Sequence, residues 1–114
     1  MNSVKNEVLM FNQERDWDQF HSLDNLAKSI AIEAGELLEC FQWSNDYTKE
    51  AVCDELADIV NYCILLANKL DVDLDQIVLN KLEKNRLKYP IEKARGISTK
   101  YDKLGSDYDP NKDL

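Results

Sequence analysis

Two pairs of acidic residues lie in segments that otherwise show the apolar periodicity of helices. The pairs are Glu33 with Glu36 and Glu55 with Asp58. A spacing of three places both carboxylates of a pair on adjacent turns of one helical face. Two such helices in contact would gather the carboxylates in one space, where they repel and are costly to desolvate without a positive partner. A hard divalent cation, Mg²⁺ with Mn²⁺ as the alternative, suits ligands that are all oxygen atoms.

The position of the acids relative to the apolar stripes distinguishes a metal site from surface acids. At about 100° per residue, Glu33 shares a side with Ile30, and Glu55 shares a side with Ile59. Acids that only interact with solvent would lie opposite these stripes. We therefore expect at least one acid of each pair to face the core. Gly35 supports this, because a glycine within a helix costs about 1 kcal/mol relative to Ala and often marks close approach of a backbone or ligand.

A cation held by these acids indicates phosphate chemistry. A bound Mg²⁺ neutralises charge in phosphoryl or nucleotidyl transfer and lowers the pKa of a bound water, and a carboxylate can take the proton from that water. The chain has no G-x-x-x-x-G-K-[ST] segment, so we expect no P-loop. It has one histidine, His21, whereas a ferritin-like di-iron centre needs two Glu-x-x-His pairs.

Aromatic and basic residues near the acids are candidates for binding a nucleotide, each with an ordinary structural alternative. Rings that stack on a base contribute roughly 1–3 kcal/mol each, or else they pack at helix ends. Basic residues in a last helical turn hold a triphosphate or simply complement the helix dipole. A tyrosine beside the acids lies in the core or hydrogen-bonds a sugar. These candidates are Trp17, Phe20, His21, Trp43, Tyr62, Lys81 and Arg86.

Length and composition narrow the class of protein. A length of 114 residues predicts one domain, and 44% of the residues are hydrophobic, which is enough for a modest core. The formal net charge of −8, from 22 acids and 14 bases, argues against nucleic-acid binding, which relies on Lys and Arg. No apolar run is long enough to span a membrane, and the N-terminus lacks a signal-peptide core. Three cysteines without C-x-x-C spacing indicate reduced structural thiols, so we expect a cytoplasmic protein.

The elements that position these residues are predicted to be almost entirely helical. The chain has only three Gly and two Pro and no alternating strand pattern, so the prediction is all-α, a four-helix bundle-type fold. Ser22 or Asp24 is the predicted cap of the second helix, and Thr48 or Asp46 that of the third. The predicted helices are Ser3–Arg15, Leu23–Phe41, Lys49–Leu70 and a fourth from a capping box at Asp73 to Tyr89. The apolar second half of the third helix should be central. Residues 1–90 form the predicted helical domain, and 91–114 a polar C-terminal tail, loose or wrapped on another subunit.

Several segments resemble the MazG-like all-α nucleoside triphosphate pyrophosphohydrolases, and within them the short dCTP pyrophosphatase branch. The similarity extends from about Glu14 to Tyr101, in order and in spacing. The segments that carry it are Trp17-Asp-Gln-Phe-His, Glu33-Ala-Gly-Glu-Leu, Phe41-Gln-Trp, Asp54-Glu-Leu-Ala-Asp-Ile and Asn85-Arg-Leu-Lys-Tyr-Pro.

The resemblance implies a helical fold that assembles as a dimer or a dimer of dimers. It also implies Mg²⁺-dependent hydrolysis between the α and β phosphates, giving a nucleoside monophosphate and pyrophosphate and balancing the nucleotide pool. By position, the metal ligands and catalytic acids would be Glu33, Glu36, Glu55 and Asp58. The base and sugar pocket would be lined by Trp17, Asp18, Gln19, Phe20, His21 and Trp43, with Tyr62 contacting the nucleotide.

Two departures from the dCTP branch concern the substrate pocket. The loop after Trp43 is short, about Ser44 to Tyr47, where eukaryotic dCTP enzymes carry a longer insertion. Val8 stands about where those enzymes have a histidine before the tryptophan. The base preference is therefore left open, with dCTP or a related pyrimidine triphosphate as the main expectation and dUTP or a broad range as the alternative.

A different class of function is a non-catalytic helical module whose acidic face binds a partner protein. That hypothesis predicts solvent-facing acid pairs and no effect of metal on stability. The enzyme hypothesis predicts the opposite on both points.

Overall fold

The computed structural model describes residues 2–43 and 46–96, and within them all regular structure is helical. This confirms the all-α prediction for the described part of the chain. No helix within those ranges is both long enough and apolar enough to cross a membrane. The α-helices are α1 (Asn2–Glu14), α2 (Leu23–Glu39), α3 (Lys49–Lys69), α4 (Leu74–Lys88) and α5 (Ile91–Ala94), with a one-turn 3₁₀ helix at Asp18–Phe20.

The start of α2 follows from a local capping interaction. The Ser22 side chain accepts a hydrogen bond from the backbone N of Asn25 at 3.3 Å, satisfying one of the N–H groups left over at the helix start. Its hydroxyl also donates to Asp24 at 2.7 Å, which lowers the pKa of that carboxyl, with Lys28 adding to the effect. Of the two predicted caps, Ser22 and Asp24, the structure therefore shows Ser22 as the cap of α2. The helix ends at Glu39, before the predicted Phe41.

The connection between α1 and α2 is more ordered than the sequence pattern indicates. Asp16 takes a positive φ of 54°, a turn conformation that Asp tolerates better than most residues. The Trp17 backbone N then donates to the Asn12 carbonyl at 3.1 Å, which folds the chain back beside α1. The 3₁₀ turn that follows continues into His21 and the α2 cap. This fold-back holds the Trp17 side chain near α1.

The core of the described chain is small and centred on α3. Its buried apolar side chains are Leu26 of α2 together with Ile64, Leu65 and Ala67 of α3. The second half of α3 is therefore central, as its apolar sequence predicts. Both α1 and α2 contact α3, and α2 packs along it. This pairing brings the two acid-bearing segments side by side.

The chain divides into two compact units, one ending at Leu74 and the other beginning at Asp75. The first contains α1, α2 and α3. In the second, α4 buries none of its residues, and Arg86 forms an exposed ion pair with Glu83 one turn away. Of the predicted tail, Ile91–Ala94 form the short helix α5, and residues 97–114 lie outside the described part. The predicted boundary at residue 90 stays a prediction.

All three cysteines are free thiols, in line with the expected reduced state. Cys40 and Cys63 are partly buried, whereas Cys53 is exposed. A free cysteine within a helix usually acts as a small buried hydrophobe, and that expectation is wrong for Cys53, which is exposed.

Candidate metal and nucleotide site

Three of the predicted acids meet where α2 packs along α3. Glu33 of α2 and Glu55 and Asp58 of α3 each contribute one carboxylate oxygen, and these oxygens lie within 4.8 Å of one another. Glu55 and Asp58 come from adjacent turns of the same helix. Glu33 and Glu55 are partly buried, and Asp58 is exposed. We call these three residues the acidic cluster.

The cluster contains carboxylate oxygens that no protein group satisfies. Oε2 of Glu33 and Oε2 of Glu55 are buried and accept no hydrogen bond from any described residue. Buried polar atoms are nearly always paired in folded proteins, and an unpaired one carries its full desolvation cost. Two such atoms, on residues whose carboxylates approach within 4.8 Å of each other, indicate that a positively charged group belongs there.

The pKa of Glu55 reports the same deficit of positive charge. Desolvation raises the pKa of this carboxyl, and the charge of Glu36 raises it further. The hydrogen bond that protonated Glu55 shares with Glu33, and the charges of Glu33 and Asp58, act in the same direction. Glu36 itself is exposed and stands outside the acidic cluster. Its charge nevertheless reaches Glu55, so the predicted fourth ligand lies beside the group formed by the other three.

The residues of the cluster fit a hard divalent cation. Their donors are all carboxylate oxygens, which hard cations such as Mg²⁺ prefer. A cation among them would satisfy both orphaned oxygens and remove the repulsion that raises the pKa of Glu55. Asp58, the exposed member, leaves one side of the cluster open to a ligand.

A cavity of about 620 Å³ adjoins the cluster, within the volume range of small-molecule sites. Asp58 belongs to both the cluster and the cavity wall. The wall is formed mainly by one face of α1, one face of α3 and the start of the α1–α2 connection. Its residues are Glu7, Val8, Phe11, Asn12, Glu14, Arg15, Trp17, His21, Asp58, Asn61, Tyr62 and Leu65.

The structure brings three of the predicted substrate residues to this cavity. Trp17, His21 and Tyr62 all line it. The Trp17 ring meets Phe11 edge to face, with ring centroids 5.7 Å apart, which fixes an aromatic wall. Nδ1 of His21 is buried without a hydrogen-bond partner among the described residues. Base stacking and polar recognition are thus available next to the acids.

Four other predicted residues of the first unit do not line this cavity. Asp18, Gln19 and Phe20 form the 3₁₀ turn, where Gln19 donates to the Asp16 carbonyl at 2.9 Å. The Phe20 side chain is 62% exposed and that of Trp43 is 89% exposed. Their predicted contacts with a nucleotide stay predictions, and Trp43 in particular would need a further surface to complete them.

The two basic candidates belong to the second unit. Lys81 and Arg86 are exposed residues of α4, and Arg86 is paired with Glu83. Their predicted role in steadying a triphosphate stays a prediction.

Sequence reasoning missed several residues of the cavity wall. Arg15 lies over the Phe11 ring, 3.6 Å from its centroid, and also donates to the Phe11 carbonyl at 2.9 Å. Asn12 and Asn61 bring side-chain amides. A signal for Asn12 was present, because it follows Val8 by four residues on the apolar stripe of α1, where a polar side chain is unexpected.

Gly35 shows no close approach within the described chain. Nothing lies within 4 Å of the position that a Cβ would take. Of the expected close approach by a backbone or a ligand, the backbone contact is therefore absent from the described residues.

Comparison with known proteins places the acids in a family context. The sequence profile of the MazG-like family matches residues 28–104, which include both acid pairs and Tyr62. The chain belongs to the MazG-like family. This confirms the resemblance drawn from the motifs.

Relatives with known names agree with this assignment. The chain is 41% identical to dCTP pyrophosphatase 1 of Bos taurus and 40% identical to that of Homo sapiens, each over 104 residues and 82% of this chain. It spans 62% and 61% of the length of these two relatives. A crystal structure of a pyrophosphatase from Archaeoglobus fulgidus matches with a TM-score of 0.73 and 34% identity, covering 79% of this chain and 92% of that one.

Proposed function

We propose that this chain hydrolyses nucleoside triphosphates to nucleoside monophosphate and pyrophosphate, with dCTP or a related pyrimidine nucleotide as substrate and Mg²⁺ as cofactor. The observation that carries the proposal is the acidic cluster, whose oxygens lie within 4.8 Å of one another beside a cavity that shares Asp58. The relatives named dCTP pyrophosphatase 1 support the choice of substrate.

Each part of the site has a task in this reaction. Glu33, Glu55 and Asp58 would hold the cation, with the charge of Glu36 close enough to act on Glu55. Mg²⁺ bound there would neutralise charge on the phosphates and lower the pKa of a water molecule. One of the carboxylates accepts the proton of the attacking water. Water adds to the α phosphorus, the bond to the bridging oxygen breaks, and pyrophosphate leaves.

The cavity holds the nucleoside part of the substrate. The aromatic wall of Trp17 and Phe11 stacks on the base, and the Tyr62 hydroxyl hydrogen-bonds the sugar. Because Asp58 lies at the boundary between cavity and cluster, a nucleoside in the cavity directs its phosphates towards the acids. We assign Asp18, Gln19, Phe20 and Trp43 to the outer part of the pocket.

The alternative of a non-catalytic protein-binding module requires solvent-facing acid pairs. Glu33 and Glu55 are instead partly buried, and one carboxylate oxygen of each is buried without a hydrogen-bond partner among the described residues. This arrangement favours the enzyme. The remaining alternative keeps the chemistry and changes the base, to dUTP or a broad range of triphosphates.

We further propose that the active form is a homodimer or a dimer of dimers in the cytoplasm. The described chain buries few apolar side chains, while Ile32 and Leu38 of α2 and Leu56 of α3 are more than half exposed. A second copy covering such residues would supply the missing apolar burial. The net charge of −8 favours neither a nucleic acid nor an anionic membrane as partner. Sedimentation equilibrium would measure the assembly directly, and a monomer at micromolar concentration would refute it.

The deciding experiment incubates the purified protein with a panel of ribo- and deoxyribonucleoside triphosphates, with Mg²⁺ and with EDTA, and separates the products. Monophosphate and pyrophosphate formed only with Mg²⁺ are the expected result. Release of inorganic phosphate instead would place the cleavage at another bond. Absence of turnover with every triphosphate would favour the binding module.

A further inference from the structure

Asn12 is an unusual member of the cavity wall because its polar side chain is buried. It is 8% exposed and is the buried polar residue of the described chain, yet it borders the cavity. An amide removed from water is costly unless its hydrogen-bonding groups are satisfied. The hydrogen bonds of Asn12 therefore indicate what the cavity is built to receive.

The orientation of the Asn12 amide follows from its one side-chain hydrogen bond. Nδ2 donates to the Val8 carbonyl at 2.8 Å. A carbonyl oxygen only accepts, so the nitrogen must face Val8 and the assignment of Oδ1 is fixed by chemistry. Oδ1 accepts no hydrogen bond from the described residues. The side-chain atoms of those residues that are both fully buried and without a partner belong to His21, Glu33 and Glu55, so Oδ1 of Asn12 is not fully buried. It is thus an acceptor open to a ligand.

Asn12 is linked to the aromatic wall of the cavity through its backbone. The Asn12 backbone carbonyl accepts a hydrogen bond from the Trp17 backbone N at 3.1 Å, and the Trp17 ring meets Phe11, the neighbour of Asn12 in sequence. Asp58 lines the same cavity and belongs to the acidic cluster, where the phosphates are proposed to bind. A nucleotide with its phosphates at the acids and its base on Trp17 would bring a base edge to Asn12.

Resting on the proposed function, we infer that Asn12 determines base specificity by accepting a hydrogen bond at Oδ1 from the exocyclic amino group of a cytosine-type base. Cytosine carries an N–H₂ donor at the position where uracil and thymine carry a carbonyl oxygen. A carbonyl there would face Oδ1 as acceptor against acceptor, leaving both without a partner. The hydrogen bond from Nδ2 to the Val8 carbonyl prevents the amide from flipping, which would otherwise present Nδ2 as a donor to the carbonyl of uracil or thymine.

The test compares cytosine with uracil nucleotides on Asn12→Ala and Asn12→Leu. Both variants remove the amide. Ala enlarges the cavity, whereas Leu keeps the branched heavy-atom skeleton of Asn and is larger, so an effect common to both variants comes from loss of the acceptor and not from a change in cavity volume. Ala and Leu also favour helix over Asn, which protects α1. The matched control is Asn6→Ala, an exposed amide of the same helix that does not line the cavity. The readouts are kcat/KM for dCTP and dUTP, and calorimetric dissociation constants for dCMP and dUMP.

We expect the wild type to prefer the cytosine nucleotide. This preference should fall roughly tenfold in both Asn12 variants, which corresponds to the loss of one buried hydrogen bond. It should be unchanged in Asn6→Ala. An unchanged preference in both variants, or a wild type that prefers uracil, would overturn the inference while leaving the hydrolysis intact. The binding readout separates the two proposals. If no triphosphate is hydrolysed but the dCMP preference still depends on Asn12, the inference stands and the proposed function fails.

Discussion

Glu33 and Glu55 come from different helices, yet each brings a carboxylate oxygen to within 4.8 Å of the other, and Oε2 of each is buried without a hydrogen-bond partner among the described residues. No ordinary packing interaction explains this arrangement, because two acids facing each other in a partly buried place oppose folding. The arrangement becomes favourable when a cation occupies the space between them. The stability of the protein should therefore depend on metal as strongly as its activity does.

Replacing Glu33 should abolish turnover without unfolding the protein. Glu33→Gln keeps the shape of the side chain and removes the charge that binds the cation. We expect kcat/KM to fall by more than about 100-fold, since even residues that only support metal ligands cost 10- to 100-fold. Circular dichroism should show unchanged helix content.

The control for this change is Glu39→Gln, an exposed acid at the end of the same helix. It should retain activity near that of the wild type. Full activity in Glu33→Gln would refute the assignment of the cluster.

Mg²⁺ should stabilise the folded protein even without a nucleotide. A ligand that binds only the folded state adds about 2.7 kcal/mol at a concentration 100 times its Kd. Thermal unfolding followed with increasing Mg²⁺ should show a rising Tm in the wild type and a flat response in Glu33→Gln. A wild-type Tm that is the same in Mg²⁺ and in EDTA would support the binding-module alternative.

The raised pKa of Glu55 predicts how stability without metal depends on pH. Because the folded protein holds this proton more tightly than the unfolded chain, the contribution of Glu55 to the free energy of unfolding is greatest below the ordinary pKa of 4.5. It is lost as pH rises through the higher pKa of the folded state. Glu55→Gln lacks this loss, so in EDTA the variant should match the wild type in acid and exceed it at neutral pH.

Urea unfolding in EDTA across this pH range measures the difference. Addition of Mg²⁺ at neutral pH should reverse the order, making the wild type the more stable protein. If Glu55→Gln is less stable than the wild type in EDTA at neutral pH, the carboxylate has a favourable partner and the repulsion argument is wrong.

Trp17 should contribute to binding through the base rather than the phosphates. Trp17→Ala removes a stacking surface of roughly 1–3 kcal/mol, which corresponds to a rise in KM for dCTP of roughly 5- to 150-fold with a smaller change in kcat. Phe41→Ala provides the comparison, because Phe41 is 43% exposed and does not line the cavity. Equal effects of the two changes would place the base outside the cavity.

The sequence by itself determined the helical class and the identity of the acids. Few glycines and prolines, apolar residues at helical spacing and the Ser22 cap were enough to place α2 and α3 within about two residues of their observed ends. Helical periodicity also placed Glu33 and Glu55 on the inner faces, because the angle of a residue around its own helix follows from its position in the chain.

Only the tertiary structure decided which of these groups meet. Periodicity fixes angles around one helix, but the offset of α2 along α3 depends on how the side chains between them pack. That offset joins Glu33 with Glu55 and Asp58 and leaves Glu36 beside them. The cavity and the buried Asn12 amide likewise arise where the turn at Asp16 folds Trp17 back on α1. Contacts between residues distant in sequence depend on that packing, so local sequence patterns cannot specify them.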